Sequence, residues 1–167
     1  MGPFKMGHYI AILGAGSRNE EHTRKIAFDL GKALALEKQT VICGGLGGVF
    51  EAAFWGAKAG NGNALAILNE KPDDYEGPCS TLISTGSDLI KRAVIAETCD
   101  AGIMIGGWMG SVSLFTLIAS KSKKVIAING TGGAADKFSN QHIIDETGYR
   151  VQGCNTVKEA LALLLPS

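Results

Sequence analysis

The sequence predicts an α/β fold, a Rossmann-like, doubly wound and mostly parallel sheet with helices on both faces, and three observations predict it. Short apolar runs without polar alternation recur along the chain, as strands buried on both faces require. Amphipathic stretches with helical spacing separate them, so strand and helix take turns, the order of a parallel sheet with right-handed crossovers. Glycine supplies 23 of the 167 residues, about twice the usual share, and clusters where apolar runs end, as tight strand-to-helix turns demand.

His8 to Leu13 is an apolar run that stops at Gly14-Ala15-Gly16-Ser17, and a helix with Ile26, Leu30, Ala33 and Leu34 on one face continues to Lys38. Thr40 to Cys43 is a second strand entering the loop Gly44 to Gly48, whose helix turns Val49, Phe50, Ala53, Phe54 and Ala57 inward and ends at Gly60. Asn63 to Leu68 is a third strand. A polar loop from Asn69 to Ser80, broken by Pro72 and Pro78, precedes a short strand near Thr81 to Ile83. A helix from Ser87 to Thr98 leads to the wholly apolar strand Ala101 to Ile105, and a second glycine loop feeds a helix from about Ser111 to Ser120. Lys124 to Ile128 is the next strand, Gly130-Thr131-Gly132-Gly133 a flexible loop, and Val151 starts a last short strand before a helix from Thr156 to Leu165. Residues 1–167 read as a single domain, with residues 1–7 as a flexible tail.

Sixteen basic and sixteen acidic residues cancel, and the one basic block, Lys121-Ser122-Lys123-Lys124, is short, so no nucleic-acid partner is expected. Apolar stretches are interrupted well short of a membrane span, and Met1 to Ile10 lacks a signal-peptide layout, which makes the cytoplasm the expected location. Cys43, Cys79, Cys99 and Cys154 have no paired spacing, so neither a metal site nor a disulfide framework is expected; the first three read as small core residues and Cys154 stands apart.

Function points to the glycine loops. In a doubly wound sheet ligands bind beyond the carboxyl ends of the strands, and glycine lets backbone approach a ligand while the first N–H groups of the following helix point outward. Two loops share this design: Gly44-Gly45-Leu46-Gly47-Gly48-Val49-Phe50-Glu51, and Gly106-Gly107-Trp108-Met109-Gly110-Ser111-Val112-Ser113-Leu114, a weak internal repeat. Gly14, Gly16, Ser17 and Arg18 form a third candidate for a phosphate or a base edge, with a plain helix cap as the alternative. Asn19 stands where a dinucleotide fingerprint has its third glycine, and no Gly-Lys-Ser/Thr run exists for a P-loop. Glu51 is either a first-turn carboxylate favoured by the helix dipole or an acid in a cleft, and Trp55 either stacks on a ring or packs against a partner subunit. Lys91 and Arg92 are candidate phosphate ligands, or else a solvated face balanced by Asp88 and Glu97. Asp100, immediately before the buried strand, reads as a cap or turn residue and not as a catalyst.

At Val41 to Ala53, and from Lys91-Arg92 through Cys99 to Gly107, the chain resembles the Lonely Guy superfamily. It is most similar to the branch of molybdenum-cofactor carriers and proteins labelled possible lysine decarboxylases. The resemblance implies a Rossmann-like domain, a homodimer or higher homo-oligomer, and a small phosphorylated ligand. Enzymes of the superfamily cleave the N-glycosidic bond of nucleoside monophosphates with a P-G-G-x-G-T-x-x-E motif and an upstream arginine. Gly106, Gly107, Gly110 and Ser111 keep the glycines and the hydroxyl; the arginine maps to Lys91 or Arg92, and the glutamate falls on Leu114. A leucine can neither take a proton nor stabilise a developing oxocarbenium ion.

Three functions are therefore expected in turn. The first is a carrier-type protein binding a phosphorylated nucleotide or a molybdopterin-like cofactor; no cofactor is required, and a nucleoside monophosphate or the molybdenum cofactor is the ligand it allows. The second is a nucleotide phosphoribohydrolase in which Glu51, with Lys91 and Arg92, supplies the chemistry. The third is a structural oligomer with a vestigial site. A pyridoxal-dependent lysine decarboxylase is not expected, because no lysine sits in a context that singles it out.

Overall fold

The computed structural model describes residues 7–16, 20–144 and 147–165. Most of the expected tail over residues 1–7, together with Ser17 and Arg18, therefore lies outside the described residues. Among the described residues the chain runs β1 (Tyr9–Leu13), α1 (Glu21–Leu36), β2 (Thr40–Cys43), α2 (Gly48–Ala59), β3 (Ala64–Leu68), β4 (Thr81–Ser84), α3 (Asp88–Thr98) and β5 (Ala101–Met104). It continues through α4 (Met109–Ser120), β6 (Lys124–Ile128), α5 (Gly133–Phe138), β7 (His142–Ile144), β8 (Tyr149–Arg150), β9 (Gln152–Cys154) and α6 (Val157–Leu164).

Seven strands form one parallel sheet in the order β4-β3-β2-β1-β5-β6-β9. Its central strands are apolar throughout because both faces are covered. Ile10 and Ile12 of β1 face a core shared with α1, α2 and α6, whereas Ala11 and Leu13 face one shared with α3, α4 and α5. The expected doubly wound architecture is the one the chain adopts. β1 and β5 are neighbours, with Ile10 opposite Ala101 and Leu13 opposite Met104. From β1 the chain winds toward β2, and from β5 toward β6, so right-handed crossovers send α1 and α4 to opposite faces and open a crevice at the carboxyl ends of these two strands. At the opposite edge Asp100 sits in the turn between α3 and β5, its carboxylate accepting from the Tyr9 amide at 2.7 Å.

Three features differ from the sequence reading. Gly130 to Gly133 is not a free loop: Asp136 accepts from the amides of Gly130 and Gly132, and Gly133 begins α5. His142–Ile144 and Tyr149–Arg150 form an antiparallel pair too short to signal itself by alternation. Cys154 is buried with Cys43 and Cys99, and the half-buried thiol is Cys79 instead. Burial pushes the Cys43 thiol well up and those of Cys99 and Cys154 to about 11, so they stay protonated core groups at neutral pH. Among the described residues no helix is long and apolar enough to cross a membrane.

Helices α1 and α2 touch backbone to backbone. A Cβ on Gly56 would lie 2.0 Å from the Phe28 carbonyl oxygen, and one on Gly31 2.1 Å from that of Ala53. Gly56→Ala therefore destabilises the protein by about 3 kcal/mol, against the roughly 1 kcal/mol gain that alanine brings to an open helix. A guanidinium unfolding curve checks both sign and size.

Candidate functional site

The loops that meet at the crevice are held together by direct contacts. Gly14, at the end of β1, has room for no side chain, because a Cβ there would lie 2.7 Å from Val49 Cγ1. Its carbonyl accepts from the Ser111 hydroxyl at 2.8 Å, which ties β1 to the first turn of α4 across 97 residues of sequence. Gly106 and Gly107 take positive φ of 63° and 99°, ending β5 abruptly and leaving the extended Trp108 as the cap of α4. This is why α4 starts at Met109, two residues before the position expected from sequence.

The two glycine loops, alike in sequence, serve different ends. At the start of α2 the Val49 amide donates to the Ala15 carbonyl at 3.3 Å. Cβ atoms on Gly47 and Gly48 would strike the carbonyls of Gly16 and Ala15 at 2.9 and 2.6 Å, and one on Gly45 would strike the Phe50 ring at 2.6 Å. The glycines of that loop are there for loop-on-loop packing. The second loop is divided. The Gly106 amide donates to the Thr131 hydroxyl at 2.9 Å, and the carbonyls of Gly106 and Gly107 accept from Ala135 and Ala134. Only a space of about 20 Å³, the size of one water, remains beside Gly106, Gly107 and Gly133. Beyond Trp108, however, α4 opens freely, with no side-chain cap and with the Met109, Gly110 and Ser111 amides lacking intrahelical acceptors.

That helix start faces a cleft of about 260 Å³. Gly14, Gly44, Lys91, Arg92, Gly110 and Ser111 line it, six of the residues expected at the site. The Lys91 stem passes over Gly44, where a Cβ would lie 3.8 Å from Lys91 Cε, and Arg92 Nη1 would lie 3.9 Å from a Cβ on Gly110. Both cations are largely covered, their side chains 15% and 22% exposed. Asp88 holds them, one oxygen 2.6 Å from Lys91 Nζ and the other 2.6 Å from Arg92 Nη2. The hydrogen bond from Lys91, foremost, lowers the Asp88 carboxyl below its usual range. Arg92 Nε is buried without a hydrogen-bond partner among the described residues. The remaining wall is apolar: Ile12, Leu13, Phe50, Ile95, Trp108 and Leu114.

Glu51 is not among the residues lining this cleft. Its carboxylate, 44% exposed, points toward Arg24 at 3.9 Å, and its neighbour Phe50 turns inward instead. Trp55 lies on the outer face of α2 with Lys58 Nζ 5.1 Å from its ring centre. Gly16, Gly45, Gly47, Gly48, Gly106 and Gly107 shape the neighbouring loops without lining the cleft. Sequence reasoning passed over Asp88 as an acid of the cleft and Trp108 as a wall; the tryptophan was visible only as an interruption of the glycine spacing. Among the described residues no three His, Cys, Asp or Glu side chains converge so as to hold a metal ion.

Comparison with known proteins agrees with the resemblance seen in the glycine segments. A model of the SLOG cluster4 family matches residues 7–161. An uncharacterised protein of Archaeoglobus fulgidus is 34% identical over 119 residues, covering 71% of this chain and 78% of the relative. The molybdenum cofactor binding protein of Rippkaea orientalis superposes with a TM-score of 0.84 at 24% identity, over 96% of this chain and 97% of the other. The molybdenum cofactor carrier protein of Chlamydomonas reinhardtii does so with a TM-score of 0.78 at 24% identity, over 95% and 96%.

The Ser111 to Gly14 hydrogen bond is the part of this site most simply tested. Ser111→Ala costs about 1 kcal/mol. It appears as a lower urea midpoint at unchanged slope.

Proposed function

The chain belongs to the SLOG cluster4 family, and from that premise we propose that it is a carrier-type binding protein for a small phosphorylated heterocycle, the molybdenum cofactor or a nucleoside monophosphate. The observation that carries this reading is the convergence of two covered cations, one with an unpartnered buried donor, and an open helix start upon a single cleft. Phosphate is matched by that donor set: a bidentate guanidinium, an ammonium and the amides of a helix N-terminus. A flat ring is matched by the apolar wall of Phe50, Trp108 and Leu114. The carrier proteins of the same fold support the reading. A bound molybdenum cofactor would supply redox chemistry to the enzyme that receives it, and this chain's part is to bind its phosphate and shield its ring.

Hydrolysis of a nucleotide fits this cleft less well. The acid that the superfamily's enzymes use is replaced by Leu114, which forms floor rather than a proton relay, and Asp88 has both oxygens committed to cations. Acid–base groups typically contribute about a hundred- to ten-thousandfold, and no described residue lining the cleft replaces that contribution. Exposed Leu89, Ile90 and Met109 beside the cleft mouth give association between copies a physical motive, in keeping with the homo-oligomer expectation.

Titration with AMP and with purified molybdenum cofactor, followed by quenching of Trp108 fluorescence and controlled with Trp108→Phe, tests the proposal. Saturable quenching is expected, weakened about ten- to a hundredfold by each of Lys91→Gln and Arg92→Gln, the worth of one charge-assisted hydrogen bond. The same AMP samples should release no free adenine. Release that disappears in Glu51→Gln would overturn the carrier reading in favour of the hydrolase.

A further inference from the structure

Two covered cations on one helix need a counter-ion, and among the described residues the only carboxylate lining the cleft is Asp88. Asp88 stands at the first position of α3, where the helix dipole favours an anion and Ser87 caps the turn by accepting from the Ile90 amide. From there its side chain reaches Lys91 and Arg92, three and four residues on, with one oxygen for each. No other described acid on the elements packed around the pair competes for them. Helix α4, which lies against α3, has no charged side chain along its length, β1 and β3 have none, and the Glu51 carboxylate faces Arg24. The lining of the cleft thus carries two positive charges and one negative.

We propose that Asp88 sets the affinity of the cleft by competing with the ligand's anion for Lys91 and Arg92. This rests on the phosphate-binding reading above and adds to it a residue that determines how tightly the ligand is held. The geometry suits an exchange. Asp88 is 53% exposed while the two cations are 15% and 22% exposed. When a phosphate enters beside Gly110 and Ser111, the cations turn to it, and the half-exposed Asp88 carboxylate passes into water, whose hydration replaces its two ion pairs. When the phosphate leaves, Asp88 closes back on the pair, so the emptied cleft never holds two uncompensated buried charges. Such an internal anion keeps binding reversible, as delivery of a ligand to another protein requires. Removing the negative charge should then strengthen binding, whereas an Asp88 that merely braced the site would weaken it when lost.

Isothermal titration of the full chain with AMP and with orthophosphate, for wild type, Asp88→Asn, Asp88→Ser and Asp88→Glu, tests this. Asp88→Ser keeps a residue suited to a helix start should the asparagine variant fold poorly. The two neutral variants should bind AMP about tenfold tighter or more, as removal of a nearby like charge implies. The gain should shrink at high salt, and Asp88→Glu should restore affinity close to wild type. If wild type binds AMP and the neutral variants bind it equally or more weakly, Asp88 is no competitor and this proposal falls while the binding function stands. If no form binds either probe, the phosphate reading falls and this inference with it.

Discussion

The arrangement at this protein's centre depends on one constraint: β1 and β5 lie side by side, buried on both faces, and must send their helices to opposite sides of the sheet. No backbone can fill the gap this leaves at the carboxyl ends of the two strands, so loops converge there. Glycine lets them come close enough to touch. Gly14 admits Val49, Gly48 admits the Ala15 carbonyl, and the Ser111 hydroxyl closes the join on Gly14. That closure joins the end of β1 to the first turn of α4, where Gly14, Gly110 and Ser111 line the cleft.

Electrostatics then select among otherwise similar loops. A helix start attracts an anion only if its amides are open, and the α2 start has given part of its capacity to the Ala15 carbonyl. The α4 start has not. Lys91 and Arg92 reach the same place from α3, held over apolar side chains by Asp88 and partly removed from water, where a charge acts more strongly than on an open surface. The apolar character of α4 contributes here as well, since a helix without acids leaves the pair of cations to the single carboxylate of Asp88.

Much of the fold was legible. The bounds of β2 and β6 agree with the apolar runs Thr40–Cys43 and Lys124–Ile128, because a strand buried on both faces leaves no polar residue inside it. The short pieces near the C-terminus were not legible: α5 is a single turn and a half in a segment with three glycines, and the β7–β8 pair is held by a hydrogen-bond register that composition does not express. At the site, Lys91, Arg92, Gly110 and Ser111 could be named from their positions after strands or before the next glycine loop. Glu51 could be named by the same logic, yet one residue of helical rotation turns it toward Arg24 and puts Phe50 in the cleft.

By itself the sequence determined the alternation of buried strands and helices, the edge of the sheet at which the glycine loops gather, and a leucine, not an acid, at position 114. These are local matters of periodicity and residue chemistry. Which of two nearly identical glycine loops is open, and whether Asp88 balances a solvent face or a pair of cations in a cleft, only the tertiary structure decided. The physical reason is that a hydrogen-bond donor is free or spent according to the groups packed against it, and the partners here, Ala15 against Val49, Thr131 against Gly106 and α4 against α3, are distant in sequence.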